Sequence, residues 1–186
     1  MPITTLDPVT ALIVIDLQKG TTAAQTTHPI EGVIGNAARL AAAFRERGLP
    51  VVLVRFDPAQ APAGRAELGG RMPQVPPEFT EFVAGLQPEP GDLVITKGPW
   101  SAFAGTGLHE ELSALGVTQV VLVGVATSFG VESTARAAYD LGYNVTIPTD
   151  AITDRIPGAH ERSVAGVFRI LGETGVTDDV VALLDA

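Results

Sequence analysis

Short runs of β-branched apolar residues alternate along this chain with segments of helical period. The runs are almost continuously apolar, which is typical of strands buried on both faces of a parallel sheet. Between them, apolar residues recur every three or four positions, as in helices that cover a sheet. The alternation predicts an α/β fold with three layers, α/β/α, a mainly parallel sheet and right-handed crossovers. The predicted strands are Ala11–Leu17, Pro50–Phe56, Asp92–Thr96, Gln119–Gly124 and Tyr143–Pro148.

The segments of helical period lie between and after these strands. The first three of them are each followed by a glycine, which commonly ends a helix because it adopts the left-handed conformation without a steric cost. The predicted helices are Glu31–Arg47, Leu108–Leu115, Val131–Leu141, His160–Leu171 and Asp178–Leu184.

Length, charge and cysteine content narrow the class of protein. A chain of 186 residues has the size of one domain, and no linker interrupts it, so a single domain over residues 1–186 is predicted. Its 12 Lys and Arg against 21 Asp and Glu argue against binding to nucleic acid or to an anionic membrane surface. The absence of cysteine excludes disulfides, thiolate metal sites and a cysteine nucleophile. The first residues carry no basic start, and their apolar run is too short for a signal core, so we expect a cytoplasmic protein.

One stretch, Asp57–Pro77, departs from the alternation because it is rich in Pro, Gly and Ala and has little periodicity. A loop of this length inside a compact domain is typical of a lid over a functional site. The alternative is a disordered loop without a functional role.

Polar residues that end the predicted strands are the first candidates for chemistry, because open parallel sheets bind ligands at the carboxyl ends of their strands. Asp16 ends the first apolar run, and Lys97 follows the third. The fourth leads through the small-residue turn 124–130, GVATSFG, into a helix. A carboxylate, an ammonium and a helix N-terminus suited to an oxyanion are therefore expected to converge. Each of these three features also has an interpretation without a catalytic role: the charged residues as a cap or a surface charge, and the turn as a plain connection between strand and helix. The turn lacks the glycine spacing of dinucleotide sites and the lysine of phosphate loops, so nucleotide binding is disfavoured.

The segments LIVIDLQKG and TKGPWSAFAG, with the GVATSFG turn, strongly resemble the isochorismatase-like (cysteine hydrolase) superfamily. The resemblance spans nearly the whole chain except the 57–77 loop. It implies a six-stranded, mainly parallel sheet and a cis peptide bond in the turn, between Val125 and Ala126. It also implies a homodimer or a higher homo-oligomer.

In most members of that superfamily the turn reads G-V-x-T-x-x-C-V and its Cys is the nucleophile. The family Asp takes the thiol proton, the Lys stabilises the charged cluster, and turn amides form an oxyanion hole. On this chain the resemblance assigns the two charged roles to Asp16 and Lys97, but Gly130 stands at the nucleophile position. The substrate-binding or oxyanion positions that it implies are Ala126, Thr127, Phe129 and Gly130. Trp100, which follows Lys97 closely, is expected either to line the pocket and stack on a planar substrate or simply to pack within the fold.

Gly at the nucleophile position also resembles the true isochorismatases, in which the Asp acts as an acid on a vinyl ether. Lys97 opposes this role because a nearby cation keeps a carboxylate ionised, so burial or a substrate carboxylate must raise the pKa of Asp16. Isochorismatases carry Tyr where this chain has Ala126. Recognition of a small anionic substrate would then fall to loop residues such as Arg65, Arg71 or Gln74.

Two other functions stay open. The chain is alternatively a catalytically silent member that binds small molecules or acts as a scaffold. A serine hydrolase is disfavoured, because neither Ser128 nor Ser133 has a recognisable histidine base close in sequence.

The three histidines do not form a metal motif. The nicotinamidase branch of the superfamily adds a D-x-H…H metal site, but no His lies between His28 and His109, so no metal or other cofactor is predicted. His28 lies in a loop that can face the pocket, whereas His109 and His160 are interpreted as solvated helix residues. Arg136 is expected to pair with an acidic neighbour or to support a subunit contact.

Overall fold

The fold is built on one parallel sheet. The computed structural model describes residues 2–65, 67 and 74–186. In these ranges seven strands pair, all in parallel, in the order β3-β2-β1-β4-β5-β7, with the short β6 beside the end of β4. The strands are β1 (Thr10–Ile15), β2 (Val51–Phe56), β3 (Leu93–Lys97), β4 (Gln119–Val125), β5 (Asn144–Pro148), β6 (Ile152–Thr153) and β7 (Glu173–Gly175).

Helices cover both faces of the sheet. Within the described ranges, no helix combines the length and the apolar content that a membrane crossing requires. The helices are α1 (Lys19–Thr22), α2 (Ile30–Glu46), α3 (Leu108–Ala114), α4 (Glu132–Asp140), α5 (Ala159–Ala165), α6 (Phe168–Leu171) and α7 (Thr177–Asp185).

The hydrophobic core lies on the two faces of β1, whose six residues are all buried. Successive side chains of a strand point to opposite faces. Ile13 accordingly packs in the cluster that includes Phe168 of α6, while Leu12 packs in the cluster that includes Phe44 of α2. Burial of each such side chain contributes about 1.5–3 kcal/mol to the stability of the fold.

The order of the strands reverses between β1 and β4, and this point fixes where a ligand can bind. Gly124, near the end of β4, has φ 115°, and an added Cβ would lie 2.0 Å from the carbonyl oxygen of Ile15. Only glycine permits this close approach of the two strands. Because connections leave β1 and β4 on opposite sides, a crevice opens at their carboxyl ends.

The predicted α/β fold is confirmed, and all five predicted strands form with ends shifted by one or two residues. Two strands were not predicted, because β6 and β7 are too short to show an apolar run. The helix predicted over His160–Leu171 is wrong in one respect: it breaks into α5 and α6 at Gly166, which has φ −110° and ψ −90°. Glycine weakens a helix at such a position.

The predicted lid begins and ends in single 3₁₀ turns, Pro58–Gln60 and Pro77–Thr80. Asp57 caps the first turn, and its Oδ1 accepts a hydrogen bond of 3.0 Å from the amide of Ala59. Part of the loop, including Arg71, lies outside the described residues. Its role as a lid stays a prediction.

Candidate active site

Asp16 follows β1 directly and has a left-handed backbone, with φ 54°. Asp is one of the few residues besides glycine that adopt this conformation readily. Two contacts hold the backbone there: the amide of Asp16 donates to Val54 over 3.0 Å, and the hydroxyl of Thr21 donates to the carbonyl oxygen of Asp16. The sharp turn directs the carboxylate across the end of the sheet rather than along it.

Lys97, the last residue of β3, is paired with this carboxylate. Its Nζ donates to Oδ2 of Asp16 over 2.7 Å, and only 2 % of Lys97 is exposed. Oδ1 of Asp16 is buried and has no hydrogen-bond partner among the residues that the structure describes. Burial raises the pKa of Asp16 from its ordinary 3.8 to about 6, against the opposing charge and hydrogen bond of Lys97. The burial that an acid role requires is therefore present.

Gln18 links the end of β1 to the end of β2. Its Oε1 accepts from the amide of Phe56 over 2.7 Å, and its Nε2 donates to the carbonyl of the same residue over 3.0 Å. The ring of Phe56 lies 5.5 Å from Nζ of Lys97, which places the cation against an aromatic face. This link ties the end of β1 to β2, the strand that lies between β1 and the β3 strand of Lys97.

The turn after β4 is the third component of the site. The peptide bond between Val125 and Ala126 is cis, as the family resemblance implied. A single π-helical turn, Thr127–Val131, follows and leads into α4. Within it the amides of Phe129 and Val131 donate to the carbonyl of Ala126 over 3.1 and 3.2 Å. The amide of Ser128 is also engaged, since it donates to Oδ2 of Asp154 over 2.7 Å.

Gly130 lies directly beside the carboxylate of Asp16. An added Cβ would lie 3.2 Å from Oδ2 of Asp16, 3.1 Å from Cγ2 of Ile15 and 3.2 Å from the carbonyl oxygen of Val125. These contacts are tight but need shifts of only a few tenths of an ångström. A side chain at this position would therefore place its first atoms against the Asp16 carboxylate.

These elements surround a cavity of about 400 Å³. Its walls are largely aromatic, and Trp100, which is 60 % exposed, stands edge-on to Phe129 with ring centroids 5.0 Å apart. The exposed Arg155 also lines the cavity and donates to the carbonyl of Thr21. The lining residues are Asp16, Thr21, Phe56, Phe79, Lys97, Trp100, Val125, Ala126, Phe129, Gly130 and Arg155.

Most of the site residues singled out in the sequence meet at this cavity, but Thr127 does not line it. Its buried hydroxyl instead shares a hydrogen bond of 3.1 Å with Nδ1 of His160. The prediction that His160 is solvated is wrong, because α5 packs against the turn and leaves that imidazole only 8 % exposed. Burial, and secondarily the charge of His28, lowers the pKa of His160.

The other histidines also lie away from the cavity. The ring of His28 stands 4.6 Å from that of His160, and its Nδ1 is 3.3 Å from the hydroxyl of Thr153. His109, also expected to be solvated, is partly buried, with Nδ1 2.9 Å from the hydroxyl of Tyr143. Among the described residues, no three His, Asp or Glu side chains cluster as metal ligands would.

The loop residues proposed for anion recognition do not line this cavity in the described part of the chain. Gln74 lines a separate cavity of about 640 Å³ between the two ends of the loop. Arg65 is exposed and is not among the lining residues. Arg136 pairs with Glu132 one helical turn away, over 2.9 Å, as expected.

Arg155 and Asp154 are the residues that sequence reasoning missed. Both follow β6, a two-residue strand that leaves no apolar run to mark its end. The rule that polar residues at strand ends carry function would have found them, had that strand been recognisable.

Comparisons with known proteins agree with this geometry. The family described as isochorismatase domain matches residues 10–179. An isochorismatase family protein from Burkholderia thailandensis superimposes with a TM-score of 0.92 at 38% identity, over 98% of both chains. YwoC of Bacillus subtilis, an uncharacterized isochorismatase family protein, is 36% identical over 91% of each chain. The ureidoacrylate amidohydrolase RutB of Variovorax paradoxus is 32% identical over 92% of this chain and 79% of its own length.

The parallel sheet, the helices on both faces and the crevice at the strand ends define an open-sheet α/β protein. The chain belongs to the isochorismatase family of hydrolases. The single domain over 1–186 and the homo-oligomer stay predictions.

Proposed function

We propose that this protein hydrolyses a small anionic substrate through acid catalysis by Asp16, without a covalent enzyme intermediate. The observation that carries the proposal is the buried carboxyl of Asp16, which has one oxygen without a hydrogen-bond partner among the described residues and a pKa raised to about 6. A carboxyl with such a pKa holds its proton in a useful fraction of molecules near neutral pH. Gly130 provides no group that could attack the substrate.

Hydrolysis of a vinyl ether fits these groups. Asp16 donates its proton to the terminal vinyl carbon, which leaves an oxocarbenium ion. Lys97 stabilises the carboxylate that Asp16 has become. Water adds to the cationic carbon and gives a proton back to that carboxylate, and the resulting hemiketal collapses to a ketone and an alcohol. Ala126 and Gly130 line the cavity, and their amides are the candidates to bind a substrate oxygen.

The residues that line the cavity also favour a substrate that is anionic and planar. Lys97 is almost fully buried and donates to Asp16, whereas Arg155 is exposed and is therefore the lining cation that a ligand can reach. A guanidinium has five N–H donors, and the contact with Thr21 uses only part of them. Trp100 and the neighbouring phenylalanines offer faces for a flat group. A flat substrate whose carboxylate binds Arg155, with its reactive bond near Asp16, would match both the cation and the aromatic faces.

The amidohydrolase activity of RutB is proposed not to carry over unchanged, because Gly130 offers no nucleophile for the amide carbonyl. Isochorismate itself is one possible substrate among vinyl ethers that carry carboxylates. Ala126 leaves the space of a larger side chain open beside the turn.

A panel of carboxylate-bearing vinyl ethers, assayed by release of the keto acid, tests the proposal. Asp16→Asn keeps the shape of the side chain and removes its proton, so turnover should fall by about 10²–10⁴-fold. Asp150→Asn removes the same charge outside the cavity and should keep turnover. Equal rates for wild type and Asp16→Asn would exclude the role of Asp16.

Gly130 also favours a second candidate function, a catalytically silent protein that binds small molecules in the same cavity. In that case members of the panel should raise the melting temperature without being consumed. The substitution Gly130→Cys tests whether the site lacks only the nucleophile of a thiol hydrolase. Gain of amidase activity would indicate that the remaining apparatus of a thiol hydrolase is intact.

A further inference from the structure

Asp154 is a fully buried carboxylate whose two oxygens bind amides of two different segments. Its Oδ2 accepts from the amide of Ser128 over 2.7 Å. Its Oδ1 accepts from the amides of Arg155 and Ile156 over 2.8 and 2.9 Å. The carbonyl of Asp154 accepts from the amide of Thr27 over 2.7 Å. A carboxylate removed from water is stable here because N–H donors replace its hydration.

The two segments joined by this carboxylate each supply residues that line the cavity. Ser128 belongs to the turn that contributes Ala126, Phe129 and Gly130 to the wall, and Arg155 contributes the cation at the rim. Asp154 itself follows β6, which pairs with the last residues of β4. Two residues of strand therefore place one carboxylate between the turn and the guanidinium-bearing segment.

We propose that Asp154 is a positioning residue that holds the Gly130 turn in register with Asp16 and sets its distance from Arg155. The inference rests on the proposed function only where it assigns the turn and Arg155 to the substrate. The charge of the carboxylate strengthens all three amide contacts, because hydrogen bonds to an ionised acceptor are about twice as strong as neutral ones.

Asp154→Asn changes this arrangement selectively. The single oxygen of Asn can serve Arg155 and Ile156 together or Ser128 alone, and two contacts outweigh one. The amide nitrogen of Asn then faces the N–H of Ser128, donor against donor. The turn is expected to lose the hydrogen bond at Ser128, while the segment after β6 keeps those at Arg155 and Ile156.

A thiol introduced by Gly130→Cys reports on the turn, because the chain has no other cysteine. Iodoacetamide alkylates it as the thiolate sulfur displaces iodide, while the thiol proton passes to Asp16 or to water. The tight contact of a Cβ at this position with Oδ2 of Asp16 places the thiol beside that base. Asp16 can accept the thiol proton during attack, which should speed alkylation near neutral pH, while the charges around it displace the midpoint of the pH profile from that of a free thiol, about 8.5.

Adding Asp154→Asn should slow alkylation near neutral pH by about threefold or more and return the midpoint to about 8.5, because the thiol moves away from the base that accepts its proton and from the charges around it. Asp150→Asn is the matched control in the same background. Asp150 also accepts a backbone amide, that of Thr177 over 2.8 Å, but it caps α7 and does not line the cavity. This control should leave the rate and the midpoint unchanged, whatever its effect on the melting temperature.

An Asp154→Asn variant that folds and keeps the parent rate and midpoint would overturn the proposal and leave Asp154 a purely structural cap. If circular dichroism shows that this variant does not fold, Asp154→Ser replaces it. A serine hydroxyl can bind the amide two residues on but does not reach Ser128, so the same loss of reactivity is expected, and its absence is equally decisive. The assay uses no substrate, so failure of wild type to hydrolyse vinyl ethers would contradict the proposed function and leave this inference standing.

Discussion

The raised pKa of Asp16 predicts a pH dependence of stability that the variant Asp16→Asn should lack. The folded chain binds the Asp16 proton more tightly than the unfolded chain, because burial raises the pKa from 3.8 to about 6. The stability that this proton contributes is complete below the unfolded pKa and is lost as the pH rises through the folded pKa.

The magnitude follows from linkage. With these two pKa values, the Asp16 contribution to the free energy of unfolding falls by about 1 kcal/mol between pH 5 and pH 7. Wild type should lose that much more stability than Asp16→Asn over the same interval. Lys97 is buried in both proteins, and the cost of its changed partner is a constant offset that cancels in the difference between the two pH values.

Urea unfolding at both pH values, followed by circular dichroism, measures the difference. Asp150→Asn controls for the loss of one negative charge. If wild type and Asp16→Asn lose the same stability between pH 5 and pH 7, then Lys97 keeps Asp16 ionised throughout. The carboxyl would then hold no proton to donate, and the acid mechanism would be refuted.

Four further substitutions test separate parts of the structure. Lys97→Met removes the cation that lowers the pKa of Asp16, so the pH range of the stability loss should move above 6 in the same unfolding measurement. Arg155→Gln should raise KM for a carboxylate-bearing substrate about tenfold and change kcat less, since the guanidinium binds a group remote from the reacting bond. Unchanged steady-state constants would exclude that contact. Leu53→Ala should lower the free energy of unfolding by about 2–5 kcal/mol, because Leu53 is fully buried. Arg136→Ala, at an exposed helical ion pair, should cost about 0.5 kcal/mol or less, and a larger drop in the melting temperature would contradict that estimate.

Sequence patterns predicted the strands well because each is a run of apolar residues buried on both faces. They predicted the Asp16–Lys97 pair because both residues end such runs, so the parallel sheet brings them to one edge. Periodicity does not tell which helix packs against which turn, and for that reason the burial of His160 was missed.

The residues around β6 show a second limit. A strand of two residues gains its stability from its neighbour, β4, rather than from its own composition. Nothing local marks Asp154 or Arg155 as lying at a strand end. The expectation that Arg65 and Gln74 bind the anion came from assigning that role to the longest loop and stays a prediction, although neither residue lines the Asp16 cavity.

Gly130 has a consequence for how the protein meets oxidants. A thiolate that is activated for catalysis is also the group most readily converted to sulfenic and then sulfinic acid. At this position the chain carries no atom beyond Cα that peroxide can modify. Activity that depends on Asp16 and Lys97 should therefore survive exposure to hydrogen peroxide that inactivates a thiol-dependent hydrolase of the same fold.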